Sequence, residues 1–364
     1  MRSHILLNPG PVTLSNKVRQ ALLTPDMCHR ENNFAQMAQR IQNKIENVYH
    51  EMADKYKAVL LTGSGTSAVE AMLSTFIEKE NSSTLILANG VYGERMASIL
   101  ERQGKKTCVL SSDWSDEIQF EEAEKLLSGE NDILYIVTVH NETTTGRLND
   151  VKRVTELCKK YNKFLLVDAV SSFGGELFDF LDEYGTVKAV AATANKCLHG
   201  TPGVSFVLAE MELLELGKSN SMSLYLDLIP YYQAQKKGFS PFTQAVHNYF
   251  ALEAALDELE ESGGIKARHE RYKELSERIQ SELNNLGFYT YLRTDDYSSM
   301  ITSFNVPDYL TYEEIHETCY EAGFIIYAGQ GGFEGSMFRI ANMGNIQNKD
   351  VDRLINVFQK LSQK

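Results

Sequence analysis

The sequence predicts an α/β fold: a mostly parallel sheet with helices on both faces, followed by a smaller α+β lobe. Two observations carry this. Short, almost uninterrupted apolar runs alternate with amphipathic stretches over the first two thirds of the chain, and from about residue 246 that alternation gives way to long helical periodicity. Strands buried on both faces read as continuous apolar runs, and their alternation with helices is the pattern of a parallel sheet.

Taken in order, the Asn8-Pro9-Gly10-Pro11 turn precedes a helix predicted over residues 34–52, with Phe34, Met37, Ala38, Ile41, Ile45, Val48 and Met52 on one face. Strands are predicted at Ala58–Leu61, Thr84–Ala88, Ile133–Val139, Phe164–Val167, Val187–Ala191 and Val204–Leu208. A helix over 151–161 carries Val151, Val154, Leu157 and Cys158. Beyond 246 the pattern predicts a helix from Tyr249 to Glu261 and another from Ala267 to Leu286, separated by Gly263-Gly264. Short strands are expected near 288–305 and 323–340, and a final helix over 348–362 with Val351, Leu354, Ile355, Phe358 and Leu361 aligned. The expected division is a large domain, 16–245, and a small one made of 1–15 and 246–364.

Composition bounds the function. A chain of 364 residues suits two unequal lobes. The net charge of −13 argues against nucleic acid as a partner, since phosphate backbones need a basic surface. No apolar run approaches the roughly 20 residues that span a bilayer, and Ile5 to Leu7 is too short for a signal peptide. The five cysteines (Cys28, Cys108, Cys158, Cys197 and Cys319) have neither metal-ligand nor disulfide spacing. The expectation is a cytoplasmic protein without a metal site, with Cys197 in a packing role.

Polar residues gather where the predicted strands end, which is where open α/β sheets bind ligands. Leu60-Leu61-Thr62-Gly63-Ser64-Gly65-Thr66-Ser67 leaves a strand and enters a helix marked by Val69, Met72 and Phe76. It is either a plain turn or a phosphate cradle, in which glycines allow close backbone approach and the helix N-terminus offers free N–H groups. No Gly-Lys-Ser/Thr follows, so it is not a P-loop. Asp168 closes the apolar run Phe164–Val167; it is a turn cap or a buried carboxylate that needs a cation. Lys196 follows Val190-Ala191-Ala192-Thr193-Ala194-Asn195. It is a snorkelling surface lysine or an amine whose desolvation tunes it as a nucleophile. His199 is expected to bond the backbone. The run Val139-His140-Asn141-Glu142-Thr143-Thr144-Thr145-Gly146 suggests a binding surface.

Together these pieces resemble the class V, fold-type-I pyridoxal-phosphate (PLP) enzymes, and within them the 2-aminoethylphosphonate–pyruvate transaminases. The likeness runs from Leu7-Asn8-Pro9-Gly10-Pro11 to Phe338-Arg339-Ile340-Ala341-Asn342-Met343-Gly344. It passes through Gly63-Ser64-Gly65, Asn89-Gly90-Val91-Tyr92-Gly93, Glu142–Gly146, Asp168–Gly174 and Asn195-Lys196. It implies a large domain on a mostly parallel seven-stranded sheet with a smaller α+β domain, and a PLP-dependent transamination from 2-aminoethylphosphonate to pyruvate. By the same resemblance Lys196 would bind the cofactor covalently through its amine and Asp168 would pair with the pyridinium nitrogen. Tyr92 would stack on the ring, Ser64, Gly65 and Thr66 would cradle the phosphate, and Thr143 and Thr145 would lie near the ring. Thr243 would reach the phosphate from a partner subunit, implying a homodimer with shared sites, and Arg339 would clamp a carboxylate. Two departures stand out: Tyr327-Ala328-Gly329-Gln330 where similar proteins have Tyr-Pro-Gly-Lys, and Gln244-Ala245 where they have a small residue and proline. The alternatives are a serine–pyruvate or alanine–glyoxylate type transaminase, a desulfurase or lyase of the same class, and a non-catalytic PLP-binding protein.

Overall fold

The computed structural model describes residues 4–129, 132–181 and 185–364. Its main sheet has seven strands: β1 (Tyr56–Gly63), β2 (Ser83–Ala88), β3 (Thr107–Ser111), β4 (Ile133–Val139), β5 (Phe164–Asp168), β6 (Val187–Thr193) and β7 (Gly203–Glu210). They lie in the order β1-β7-β6-β5-β4-β2-β3, and β7 is antiparallel to both its neighbours while the remaining pairs are parallel. Six of the seven match the apolar runs. The seventh, β3, is an edge strand paired only with β2, and Thr107-Cys108-Val109-Leu110-Ser111 is half-exposed. An edge strand has less need of the continuous apolar run that marks the inner ones.

Successive residues of a strand point to opposite faces, and the core divides accordingly. Leu165, Val167, Val190, Phe206 and Leu208 pack on one side, and Leu166, Ala189, Ala191, Val137 and Val207 on the other. The first side is covered by α1 (Asn32–Glu46) through Phe34, Met37, Ile41 and Ile45. That helix is shorter than predicted: it stops at Glu46, and His50–Met52 forms a separate 3₁₀ turn. The opposite side is covered by α2 (Gly65–Phe76) and α3 (Val91–Arg102), each starting at the carboxyl end of a strand. Further along, α4 (Val151–Lys160) bridges β4 and β5 in sequence with the predicted residues buried.

From residue 246 two long helices follow, α5 (Val246–Glu261) and α6 (Gly264–Asn285). Gly263, at φ +101°, turns the chain between them in the left-handed region that glycine adopts cheaply. The α5 helix sends Tyr249, Leu252, Leu256 and Leu259 into the same cluster as α1 and the main sheet. The α6 helix belongs to a second core, in which Leu275, Ile279 and Leu283 meet Phe304, Phe338, Leu354 and Phe358. That core is completed by α7 (Asn348–Leu361) and by a three-stranded antiparallel sheet in the order β8-β10-β9, with β8 Ile301–Asn305, β9 Tyr327–Ala328 and β10 Met337–Ala341. The N-terminal segment is tied to this second core, Ile5–Leu6 pairing in parallel with Phe324–Ile325.

The two cores are joined through a buried carboxylate. Glu176, on the loop after β5, accepts from the Ser299 N–H and hydroxyl at 2.6 and 2.8 Å, and its other oxygen lies 3.1 Å from Nδ1 of His269 on α6. The Glu176 hydrogen bond raises the His269 pKa against the opposing cost of burial. A folded-state pKa above the unfolded one adds stability that is fully present below the unfolded value and fades as pH rises through the folded one. Glu176→Gln should therefore cost about 1–3 kcal/mol near pH 6 and less near pH 8.5. Thermal unfolding at the two pH values measures this, and an equal penalty at both would assign the whole effect to the serine contacts.

Candidate active site

Two charged groups lie beyond the carboxyl ends of adjacent central strands. Asp168 ends β5 and is buried. Its Oδ1 accepts from the Val170 N–H at 2.9 Å, which fixes the carboxylate in the turn that follows. Burial pushes its pKa up to about 6, while the Val170 N–H and the charges of Arg95 and Lys196 pull the other way. Lys196 lies in the turn after β6. Burial brings its amine down to about 8, opposed by the Asp168 carboxylate. Its Nζ donates to the carbonyl of Pro9, so the N-terminal Pro9-Gly10-Pro11 segment lies across the lysine. Gly10 has φ +109°, a conformation that favours glycine, and a Cβ there would fall 2.6 Å from Cδ of Lys196 and push the side chain aside.

The helix α2 starts between these strands. Ser64 is its N-cap and makes no side-chain capping bond; Gly65 and Thr66 open the first turn, whose amides lack intrahelical partners by construction. A Cβ at Gly65 would stand 2.5 Å from Val170, so the helix end is seated directly on the Asp168 turn. Ser64 is exposed and Thr66 half-buried.

The 139–147 turn forms another wall. Thr143 Oγ1 lies 2.8 Å from Ser171 Oγ. Glu142 accepts from the Thr144 N–H and hydroxyl at 3.1 and 2.6 Å and from the Gly93 N–H at 3.3 Å, tying this turn to the start of α3. Burial lifts the Glu142 pKa to about 7. Thr145 Oγ1 and both side-chain polar atoms of Asn141 are buried without a hydrogen-bond partner. Unpartnered buried polar atoms are costly unless a water or a ligand satisfies them.

Tyr92, in the first turn of α3, is half-buried. One turn later Arg95 places its guanidinium 4.6 Å from the Tyr92 ring centroid and 3.5 Å from Thr66 Oγ1. No carboxylate pairs with Arg95 among the described residues, yet its charge is felt by both Asp168 and Lys196. Sequence reasoning passed over Arg95; the signal was its i,i+3 spacing from Tyr92, which puts both on one helix face.

Arg339 enters from β10 of the other lobe and is buried. Its guanidinium donates to the Ala328 carbonyl, to the Thr143 carbonyl at 2.9 Å and to Gln330 Oε1 at 3.3 Å. Burial lowers its pKa. The structure thus gathers Lys196, Asp168, Gly65, Thr66, Tyr92, Thr143, Thr145 and Arg339 around one region. Thr243 lies outside it: the residue is exposed, on a segment whose Gln244 and Ala245 bond Thr62 of the same chain. His199 bonds the backbone as expected, accepting from the Gly344 N–H at 2.9 Å and meeting the Tyr272 hydroxyl at 2.5 Å. Cys197 is packed, with its sulfur 2.9 Å from that of Met300. No cluster of metal-ligating side chains occurs among the described residues.

The set suits PLP. An amine of lowered pKa, a buried carboxylate, an aromatic face, a helix N-terminus beside an unpaired arginine and an unsatisfied threonine hydroxyl match its aldehyde, ring nitrogen, ring face, phosphate and ring hydroxyl by chemical type. The family described as aminotransferase class-V matches residues 17–354. The 2-aminoethylphosphonate–pyruvate transaminase of Phocaeicola vulgatus is 35% identical over 366 residues, covering 100% of both chains. That of Lysinibacillus sphaericus is 35% identical over 361 residues, covering 99% of this chain and 97% of its own. Among solved structures, the alanine–glyoxylate aminotransferase of Nostoc sp. superposes with a TM-score of 0.91 at 25% identity, covering 100% of this chain and 96% of that one. The chain belongs to the class-V aminotransferases, enzymes that depend on pyridoxal phosphate.

Proposed function

We propose that this enzyme transfers the amino group of 2-aminoethylphosphonate to pyruvate, giving phosphonoacetaldehyde and L-alanine. The observation that carries the reading is the 35% identity, over essentially whole chains, to transaminases named for that reaction. When bound, PLP supplies the carbonyl that takes up the amino group and a ring that withdraws the charge left on the substrate carbon. Lys196 would hold it covalently through its amine, and that amine, when free, would serve as the general acid and base for the proton of the substrate carbon. An amine titrating near 8 is suited to both duties. Asp168 would keep the ring nitrogen protonated. Tyr92 would cover the ring face, Thr143 and Thr145 would border the ring, and Ser64, Gly65 and Thr66 would hold the phosphate. Arg339 takes the carboxylate of pyruvate through its planar fork. Arg95, half-buried and without an ion-pair partner among the described residues, would add positive charge beside the phosphate that Thr66 holds.

We further infer a cytoplasmic homodimer in which Thr243 of a second copy reaches the phosphate. Five free cysteines fit a reducing compartment. Met222 and Leu224 are 74% and 81% exposed, and Tyr225 beside them donates to the Thr62 carbonyl and packs at a tilt against Phe242. Apolar residues so exposed at the rim of the phosphate turn are suited to a subunit contact. Leu224→Asp should shift the protein toward monomer in sedimentation and weaken cofactor binding by about tenfold or more. A variant that stays dimeric with full cofactor affinity would move the interface elsewhere.

Asp168 gives a stability test that is independent of turnover. Its rise from 3.8 to about 6 on burial means that the ionised form destabilises the cofactor-free fold by about 3 kcal/mol above pH 6, a cost that vanishes below pH 4. Asp168→Asn should therefore stabilise the cofactor-free protein at pH 8, give no gain at pH 4, and lose about 100-fold or more in turnover. Retained turnover would reduce Asp168 to a turn-forming residue.

The donor is tested by a coupled alanine assay with pyruvate, comparing 2-aminoethylphosphonate with serine, glycine and taurine at equal concentration. The expected result is a kcat/KM for the phosphonate at least about tenfold above the others, equivalent to one or two extra charge-assisted hydrogen bonds. A tenfold preference for serine or glycine would replace this reading with a serine–pyruvate or alanine–glyoxylate type.

A further inference from the structure

The guanidinium of Arg339 is almost fully occupied by the protein itself. Of its five N–H groups, Nε and one on Nη2 converge on the Ala328 carbonyl at 3.1 and 2.9 Å. The two on Nη1 go to the Thr143 carbonyl at 2.9 Å and to Gln330 Oε1 at 3.3 Å. One N–H on Nη2 is left. A carboxylate held as a fork needs two, so one of these acceptors has to leave.

The three are not equally free to do so. The Ala328 carbonyl is main chain in β9, which is paired to β10 beside Arg339. The Thr143 carbonyl is main chain in a turn held by Glu142 and Ser171. Gln330 alone is a side chain, makes the longest of the contacts, and stands in a segment with glycine at 329, 331, 332 and 335. The far end of that segment is anchored: Phe333 packs edge-on to Trp114 of the other lobe at 5.6 Å. A side-chain rotation at Gln330 therefore frees the guanidinium without moving the segment.

Resting on the assignment of Arg339 as the carboxylate clamp, we propose that Gln330 is a displaceable internal competitor for the keto acid. Its amide oxygen occupies the Nη1 N–H until a carboxylate replaces it, and Gln330 thereby sets the affinity of the enzyme for pyruvate. A neutral amide suits this use. It satisfies a buried donor that would otherwise be costly to leave bare, and it yields to a carboxylate, whose charge-assisted bond to the same N–H is about twice as strong. A carboxylate at residue 330 would not yield.

The test is steady-state kinetics of the PLP-loaded enzyme over a range of pyruvate, with acetate as a competing carboxylate. Gln330→Ala should lower the KM for pyruvate and the inhibition constant for acetate by about two- to fivefold. Gln330→Glu should raise both by about tenfold or more, with high pyruvate restoring turnover. In both variants the change falls on KM rather than kcat. A KM that rises in Gln330→Ala, or that is unmoved in both variants, overturns the proposal. An Arg339→Gln control separates the two levels: if it raises the KM for pyruvate while the Gln330 variants do nothing, the clamp stands and the competitor falls. If Arg339→Gln leaves that KM unchanged, the clamp itself is misassigned and the competitor falls with it.

Discussion

The site depends on keeping two opposite charges out of water at the ends of neighbouring strands without letting them neutralise each other. Asp168 and Lys196 influence one another's ionisation, yet among the described residues they form no direct ion pair. Asp168 is held by the Val170 N–H and Lys196 by the Pro9 carbonyl. Buried charges so poorly compensated cost stability, and folds keep them where a ligand completes the electrostatics. Much of the surrounding structure serves this separation. The Pro9-Gly10-Pro11 segment covers the amine, Gly65 seats a helix end on the Asp168 turn, and the parallel order of β5 and β6 brings both groups to the same edge of the sheet.

The inner sheet was legible because it is buried on both faces. β4 through β7 have few polar residues along their length, so their runs are visible without any partner sequence. The groups that break those runs at the carboxyl end, Asp168 directly and Lys196 after a three-residue step from Thr193, were legible for the same reason: a charge beside an apolar run is conspicuous. The β3 strand was not, since an edge strand is half-exposed and its Thr, Cys and Ser carry no continuous signal. The end of α1 was overrun because Val48 and Met52 keep the apolar spacing past the point where the helix stops.

Other features were illegible in principle, because tertiary contact alone creates them. Nothing near Arg339 in sequence announces that its guanidinium meets the Thr143 carbonyl, 196 positions away. Arg95 looks like an ordinary polar-face helix residue, and only the folded chain reveals its charge beside Thr66 with no ion-pair partner among the described residues. Glu142 was visible within its motif, but its use in bracing the start of α3 through the Gly93 N–H was not. Gln330 stands out in the sequence as a departure from similar proteins; that it accepts from Arg339 is visible only in the folded chain.

These long-range contacts bind the two lobes into one site. The 141–147 turn of the large lobe meets the small lobe at several points, among them Arg339 Nη1 on the Thr143 carbonyl, Ser303 Oγ on the Thr145 carbonyl, the Ser298 N–H on the Gly146 carbonyl, and Arg147 against Asp296. Gly146, at φ +88°, has no room for a side chain, since a Cβ would come within 2.5 Å of the Ile301 carbonyl oxygen. The turn that lines the proposed ring site is therefore the same piece of backbone that positions the proposed carboxylate clamp. A shift of one lobe against the other would move Arg339 relative to Lys196 and would also pull on Thr143 and Thr145. The position of Arg339 relative to Lys196 is thus held by contacts on the main-chain carbonyls of this turn as well as by the flexible arginine stem, which is the kind of positioning on which reactions between fixed groups depend.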